Sequence, residues 1–152
     1  MKLSFKWLAL LVLFAGTALA LLPYMDTDEL VSRSELVVYG EVLSIESFEA
    51  DGGAIYSIAK VVVDDFLVGT YDYTIVEVTY PGGVVGDVGM MTSISPHFEV
   101  GEEVVLFLFS NDADELVLTN YAGGKYTVET GRIVEKDISL NEFITAIDKA
   151  NR

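Results

Sequence analysis

Between Leu36 and Glu49 the sequence reads LVVYGEVLSIESFE, a strand-forming run whose apolar parity changes partway along. Val38 and Val42 fall on one face of an extended chain, whereas Leu43 and Ile45 fall on the other, because successive side chains of a strand point to opposite faces. A strand changes the face it buries only through a bulge or a strong bend, and Gly40 sits close to where that bend must fall. This constrains the whole chain. A strand that bends in this way serves both layers of a small barrel, since corners are made by strands that pass from one sheet to the other.

The segments that follow have the same β character. Ala50-Asp51-Gly52-Gly53 is turn chemistry, because Asp-Gly and Gly-Gly tolerate the positive φ of a tight hairpin; a return strand is expected from Ile55 to about Val68. Another is expected from Tyr73 to Tyr80, with Val76, Val78 and Tyr80 on one face, ended by Pro81, which has no amide to donate. Val104 to Phe109 is apolar without alternation, the pattern of a central strand covered on both faces. Asn111 to Asp114 turns it back into Leu116 to Tyr121, and Gly123-Gly124 separates that from Tyr126 to Thr130.

Helices are expected only at the two ends. Asp26, with Glu29 three residues on, marks the start of a short helix ending near Ser34, and Ser139 with Glu142 marks a second. In the second, Leu140, Phe143, Ile144 and Ile147 follow the spacing of one buried stripe. The fold expected is mainly β: a small OB-like antiparallel barrel of five or six strands, with a short N-terminal helix and a C-terminal amphipathic helix packed onto it.

Lys2 and Lys6, the apolar run from Trp7 to Ala15, and the small residues Ala18 and Ala20 fit a signal peptide cleaved after Ala20. An uncleaved anchor is the alternative, because apolar character continues through Leu22. The uncharged stretch from Trp7 to Leu22 has 16 residues, short of the ~18 that span a bilayer. Residues 1–20 are thus expected to be a leader and 21–152 one domain, long enough to bury about two-thirds of its unfolded surface. The expected location is extracytoplasmic, secreted or at the cell envelope, with membrane contact only through an uncleaved leader. There is no cysteine, so disulfides, thiol chemistry and a lipoprotein anchor are excluded. The formal charge is −15, from 24 Asp and Glu against nine Lys and Arg. Such a surface repels nucleic acid, whose binding depends on cations that neutralise phosphates.

No catalytic constellation appears. The stretch YPGGVVGDVGM from Tyr80 to Met90 has the glycines of a phosphate loop but no lysine followed by Ser or Thr: Gly89 precedes Met90-Met91. It also lacks the first glycine of a dinucleotide fingerprint, because Pro81 stands there. Gly82, Gly83, Gly86 and Gly89 are expected to be positive-φ corners or close-approach points. His97 is the only histidine, too few for a protein zinc site of the hydrolytic kind. Asp112-Ala113-Asp114-Glu115 lacks the remaining positions of a calcium loop and reads as a solvated turn. Asp64 and Asp65 lie on opposite faces of a strand and do not chelate jointly. No cofactor and no metal site is expected. A carboxylate-based hydrolase is the residual enzymatic reading, because a pair of acids at catalytic separation can come from anywhere in the chain.

Ser34 to Val42 (SELVVYGEV), Asp65 to Gly69 (DFLVG), Pro81-Gly82-Gly83 and Gly101 to Leu108 (GEEVVLFL) resemble a family of exported bacterial and archaeal proteins of uncharacterised function. Some of its members carry a matrixin-like metalloprotease domain after this module. More remotely, the order of acidic residue, Leu-Val-Val, long hairpin, Phe-x-x-Gly and Pro is similar to the netrin-like domain of tissue inhibitors of metalloproteinases, an OB-type barrel. The likeness covers about Asp28 to Thr130. It implies a barrel used for contact. The inhibitors' N-terminal cysteine on the protease zinc has no counterpart here, and no His-Glu-x-x-His follows the module.

The function expected is therefore an exported, non-enzymatic module that binds another protein through a loop end formed by Tyr80 to Met91 and Ser95 to Phe98. Pro81, Gly82, Gly83, Pro96, His97 and Phe98 are the contact residues expected there, since recognition concentrates on loops carried by a rigid scaffold. The alternatives are a structural envelope subunit assembling by strand addition at an exposed edge, Leu116 to Tyr121, and a protease-modulating domain.

Overall fold

The computed structural model describes residues 24–152, so the expected leader and its cleavage site lie outside the described residues. Helix α1 (Thr27–Ser32) precedes a long antiparallel hairpin of β1 (Leu36–Glu49) and β2 (Ile55–Val68). Strand β3 (Ile75–Pro81) runs antiparallel to β2, and β4 (Gly83–Val85) with β5 (Val88–Met90) forms a separate small hairpin. Then come β6 (Glu103–Ser110), β7 (Leu116–Leu118), a 3-10 turn over Tyr121–Gly124, β8 (Lys125–Glu129), β9 (Arg132–Ile133), β10 (Ile138–Ser139) and helix α2 (Leu140–Ala150).

The ring β1-β2-β3-β7-β6 closes into a five-stranded barrel because β6 also pairs with β1, through Leu36–Glu41. Four of its seams are antiparallel. The fifth, between β3 and β7, is parallel and consists of one pairing, Val78 with Leu116. Strands β8 to β10 extend the sheet outward from β6. Among the described residues no helix is long and apolar enough to cross a membrane.

The bend in β1 has the cause its sequence suggests. Pairing with β2 shifts register between Val37 and Val38, between Tyr39 and Gly40, and between Val42 and Ser44. At Gly40 a Cβ would collide with the carbonyl oxygen of Val62, so only glycine lets the two backbones approach there. The parity reset is completed at Leu43, which is skipped in the pairing and stands 52% exposed. Ile45 consequently returns to the side of Val42 and packs against the barrel interior; strict alternation places it with Leu43 instead.

Two cores result. The barrel interior holds Val38, Val42, Val61, Val76, Val78, Leu106 and Leu108. Outside it, Val37, Val105, Phe107, Tyr126 and Val128 meet Leu30 and Val31 of α1 and Phe143 and Ile147 of α2. Strand β6 alternates between the two, with Val104, Leu106 and Leu108 inward and Val105 and Phe107 outward, which is why its apolar run is unbroken. Each such side chain contributes about 1.5–3 kcal/mol on burial.

Both helix starts are capped. Asp26 accepts from the Glu29 amide at 2.8 Å, but the Glu29 carboxylate pairs with Arg33 at 2.7 Å, so the Asp26–Glu29 spacing forms one half of a reciprocal cap. On α2 the reciprocal cap is complete: the Glu142 amide donates to Ser139 Oγ and the Ser139 amide donates to the Glu142 carboxylate. The expected strand from Leu116 to Tyr121 is shorter and differently placed. It ends at Leu118, and β7 lies between β6 and β3 within the ring, so it is not an exposed edge. Positive φ at Asn120 and Tyr121 turns the chain there.

Candidate functional site

The weakest seam of the barrel is also where its surface opens. Beyond the single pairing of Val78 with Leu116, β3 runs on to Pro81 and β7 to Leu118 without further pairing between them. The segment after β5 fills the space behind: Phe98 is buried against Tyr80, with ring centroids 5.1 Å apart, and the Ala122 amide donates to the Ile94 carbonyl at 3.3 Å. Over this floor lies a groove of about 650 Å³, within the range of ligand sites. Phe48, Tyr56 and Pro81 form one wall, Phe109, Val117 and Tyr121 the other, and Ile94 and Pro96 the base.

The aromatic content of the groove comes from outward positions of the strands. Phe48 and Tyr56 are paired across β1 and β2, with their rings stacked at 6.2 Å. Phe109 continues the outer face of Val105 and Phe107, past the residues that α1 and α2 cover. Tyr121, 52% exposed, stands at the rim with φ +51°, a conformation that costs a non-glycine residue about 1–2 kcal/mol. The polar lining is sparse: among the described residues it consists of Thr79, Asn111, Glu115 and Asn120, with no Lys, Arg or His. Asn111 holds its own turn, accepting from the Ala113 and Glu115 amides and donating to the Glu115 carboxylate. Burial raises the Tyr80 phenol above its ordinary pKa of 10.0.

The six expected contact residues separate into three situations. Pro81 and Pro96 lie together in the groove. Gly82 and Gly83 are architectural: the Gly82 amide donates to the Ile55 carbonyl at 2.8 Å and its carbonyl accepts from Ser57 Oγ at 2.7 Å. At Gly83, with φ +136°, a Cβ would collide with the hydroxyls of Ser57 and Ser47. His97 and Phe98 point apart. The His97 side chain is 82% exposed, its Nε2 3.2 Å from Glu99 Oε1, and it faces a different, carboxylate-rich depression with Glu99, Glu102, Glu129 and Glu135. Phe98 is 6% exposed and packs into the core, with the Lys125 ammonium 5.2 Å above its ring. Lys125 is itself almost buried, bonded at 3.0 Å to both Glu102 and Thr127. Aromatic character in a loop next to proline is shared by anchors and contact residues, and Phe98 is an anchor.

The glycine-rich stretch forms the β4–β5 hairpin, a more ordered arrangement than the connecting loop its sequence suggests. Gly82, Gly83 and Gly86 have positive φ as expected; Gly89 does not. The hairpin packs through β4 against β1 and β2, with the Val84 amide donating to Ser47 Oγ at 3.4 Å, and Val84, Val88 and the following Met91 are exposed. Among the described residues, no three His, Asp or Glu side chains converge as a metal site. The groove residues Phe48, Tyr56, Phe109, Val117 and Tyr121 were not distinguishable from core residues in the sequence; the signal available was their outward parity combined with aromatic or β-branched character. No protein-family model matches the chain, and comparison with curated proteins gives no match.

Proposed function

We propose that this protein is an exported, non-enzymatic binding module that holds another protein in the groove across the β3–β7 seam. The observation that carries the reading is the groove itself: an open apolar trough of about 650 Å³ with aromatic walls on a rigid barrel. Large aromatic side chains of this kind supply most of the energy in protein interfaces. The leader-like N-terminus supports a location outside the cytoplasm. The resemblance to the netrin-like barrel supports contact as its role, including modulation of a protease.

The mature domain used as bait on its native envelope tests this. Tyr56→Ala with Val117→Asp is expected to weaken capture of the partner at least ~10-fold, the size of a lost interface anchor. Unchanged capture by the doubly substituted protein rejects the groove. A second reading, self-assembly by strand addition, is favoured by the β4–β5 hairpin, whose two strands pair with each other outside the main sheet. Size-exclusion chromatography separates the two, because a stable monomer rules out assembly through that hairpin.

A further inference from the structure

The composition of the groove also specifies its occupant, an inference that rests on the groove being the contact site. Among the described residues that line it, Glu115 is the only carboxylate, and the turns that border it carry more negative charge: Glu49 and Asp51 beside Ala50, and Asp112 and Asp114 in the turn that starts at Asn111. By strand order these two turns lie on opposite sides of the β3–β7 seam.

Of the seven Lys and Arg among the described residues, six are engaged elsewhere, and the seventh, Lys149, lies in the last turn of α2. Arg33, Lys60, Lys125, Arg132 and Arg152 are each ion-paired with other acids, and Lys136 lies over the Tyr126 and Phe143 rings. None of those pairs includes Glu49, Asp51, Asp112, Asp114 or Glu115. The apolar trough is therefore bordered on both sides by carboxylates without a cationic partner among the described residues.

We propose that the groove takes an extended polypeptide segment whose apolar side chains are bracketed by Lys or Arg. Its aliphatic or aromatic residues lie between the Phe48–Tyr56 wall and the Phe109–Val117 wall, and its cations face the two acidic turns. Such charge complementarity steers encounter and sets specificity. Anionic ligands, including nucleic acid and acidic lipid, are repelled. A neutral acyl chain would use the trough and leave the acidic borders without a role, and Thr79 in the wall offers a hydroxyl to peptide groups that an acyl chain lacks.

The test uses the mature protein and fluorescein-labelled synthetic peptides of alternating valine and tyrosine, flanked by lysine pairs or by glutamate pairs, read by anisotropy. The lysine-flanked peptide is expected to bind ~10-fold or more tightly than the glutamate-flanked one, and to weaken ~10-fold between about 0.05 and about 0.3 M salt. Glu115→Gln with Asp112→Asn, which keeps shape and removes charge, is expected to lower lysine-peptide affinity several-fold. Asp148→Asn on α2 leaves it unchanged. Circular dichroism establishes that each substituted protein is folded.

Equal binding of both peptides overturns the proposal. So does binding of neither peptide when a fluorescent fatty acid saturates the protein and is lost in Val117→Lys, which assigns the groove to lipid. Binding of neither peptide nor fatty acid overturns it as well. If the partner capture described above still depends on Tyr56 and Val117, those failures remove only the proposed partner chemistry. If capture is indifferent to those residues, the groove reading itself is removed.

Discussion

Tyr39 and Tyr126 show how the acidic composition acts on single residues. The Tyr39 hydroxyl donates to Glu103 Oε1 at 2.7 Å, and this bond, with burial and the nearby carboxylate charge, pushes its pKa up to about 12. Tyr126 reaches about 12 mainly by burial, with Tyr24 and Glu135 adding to it. Both groups are held neutral in the fold more strongly than in the unfolded chain, whose phenols ionise near their ordinary value of 10.0. Their contribution to stability is therefore complete below pH 10 and is lost as pH rises toward 12. Spectrophotometric titration should show a late tyrosinate phase for these two residues, above the ordinary tyrosine range. Tyr39→Phe should remove part of that phase, and a single transition at the ordinary tyrosine pKa would refute the assignment. Residue chemistry of this kind was hidden in the sequence, because Tyr39 and Glu103 meet only through the β1–β6 pairing.

At the scale of elements, local signals were readable wherever the controlling atoms lie within a few residues. The start of α2 is the clearest instance, since Ser139 and Glu142 are a sequence signature and form the reciprocal cap. Ser139→Ala should cost about 1 kcal/mol by chemical denaturation, and a loss within error would show that tertiary packing alone fixes the helix start. Hydrogen bonding to Ser139 lowers the Glu142 pKa. A lowered acid stabilises the fold above its unfolded pKa, and that part is lost as pH falls through the folded value. Glu142→Gln should therefore reduce the acid sensitivity of unfolding. At α1 half of the same signature formed: Asp26 caps the Glu29 amide, whereas the Glu29 carboxylate pairs with Arg33 one turn away. Local reasoning failed at β7, whose end is set by the turn at Asn120 and Tyr121 and by its neighbours in the ring.

For the whole molecule, the consequence of closure is an uneven distribution of stability. Strand β6 pairs with β1, β7 and β8 and is buried on both faces. By contrast, β4 and β5 pair with each other in a separate two-stranded sheet. Hydrogen exchange should therefore be slowest for Val104 to Leu108 and much faster for Val84 to Met90, by several orders of magnitude, since protection follows local opening. Equal protection of the two segments would contradict this hierarchy. Phe143→Ala should destabilise the outer core by about 3–5 kcal/mol, because Phe143 packs on both Phe107 and Tyr126; a thermal unfolding midpoint within a degree or so of the parent would refute it.

Alternation, turn residues and caps determined that this chain is mainly β, that its first long strand must bend, that β6 is central and that an amphipathic helix ends it. Each of these depends on forces between residues close in sequence, which leave a periodic trace. The groove was decided only in three dimensions. It exists because one seam of the ring is parallel and holds a single pairing, so that Pro81 and Val117, far apart along the chain, become opposite walls. Nothing local distinguishes Phe98 in the core from Phe109 in the groove: both are aromatic, and only the closure of the barrel decides which of them meets solvent.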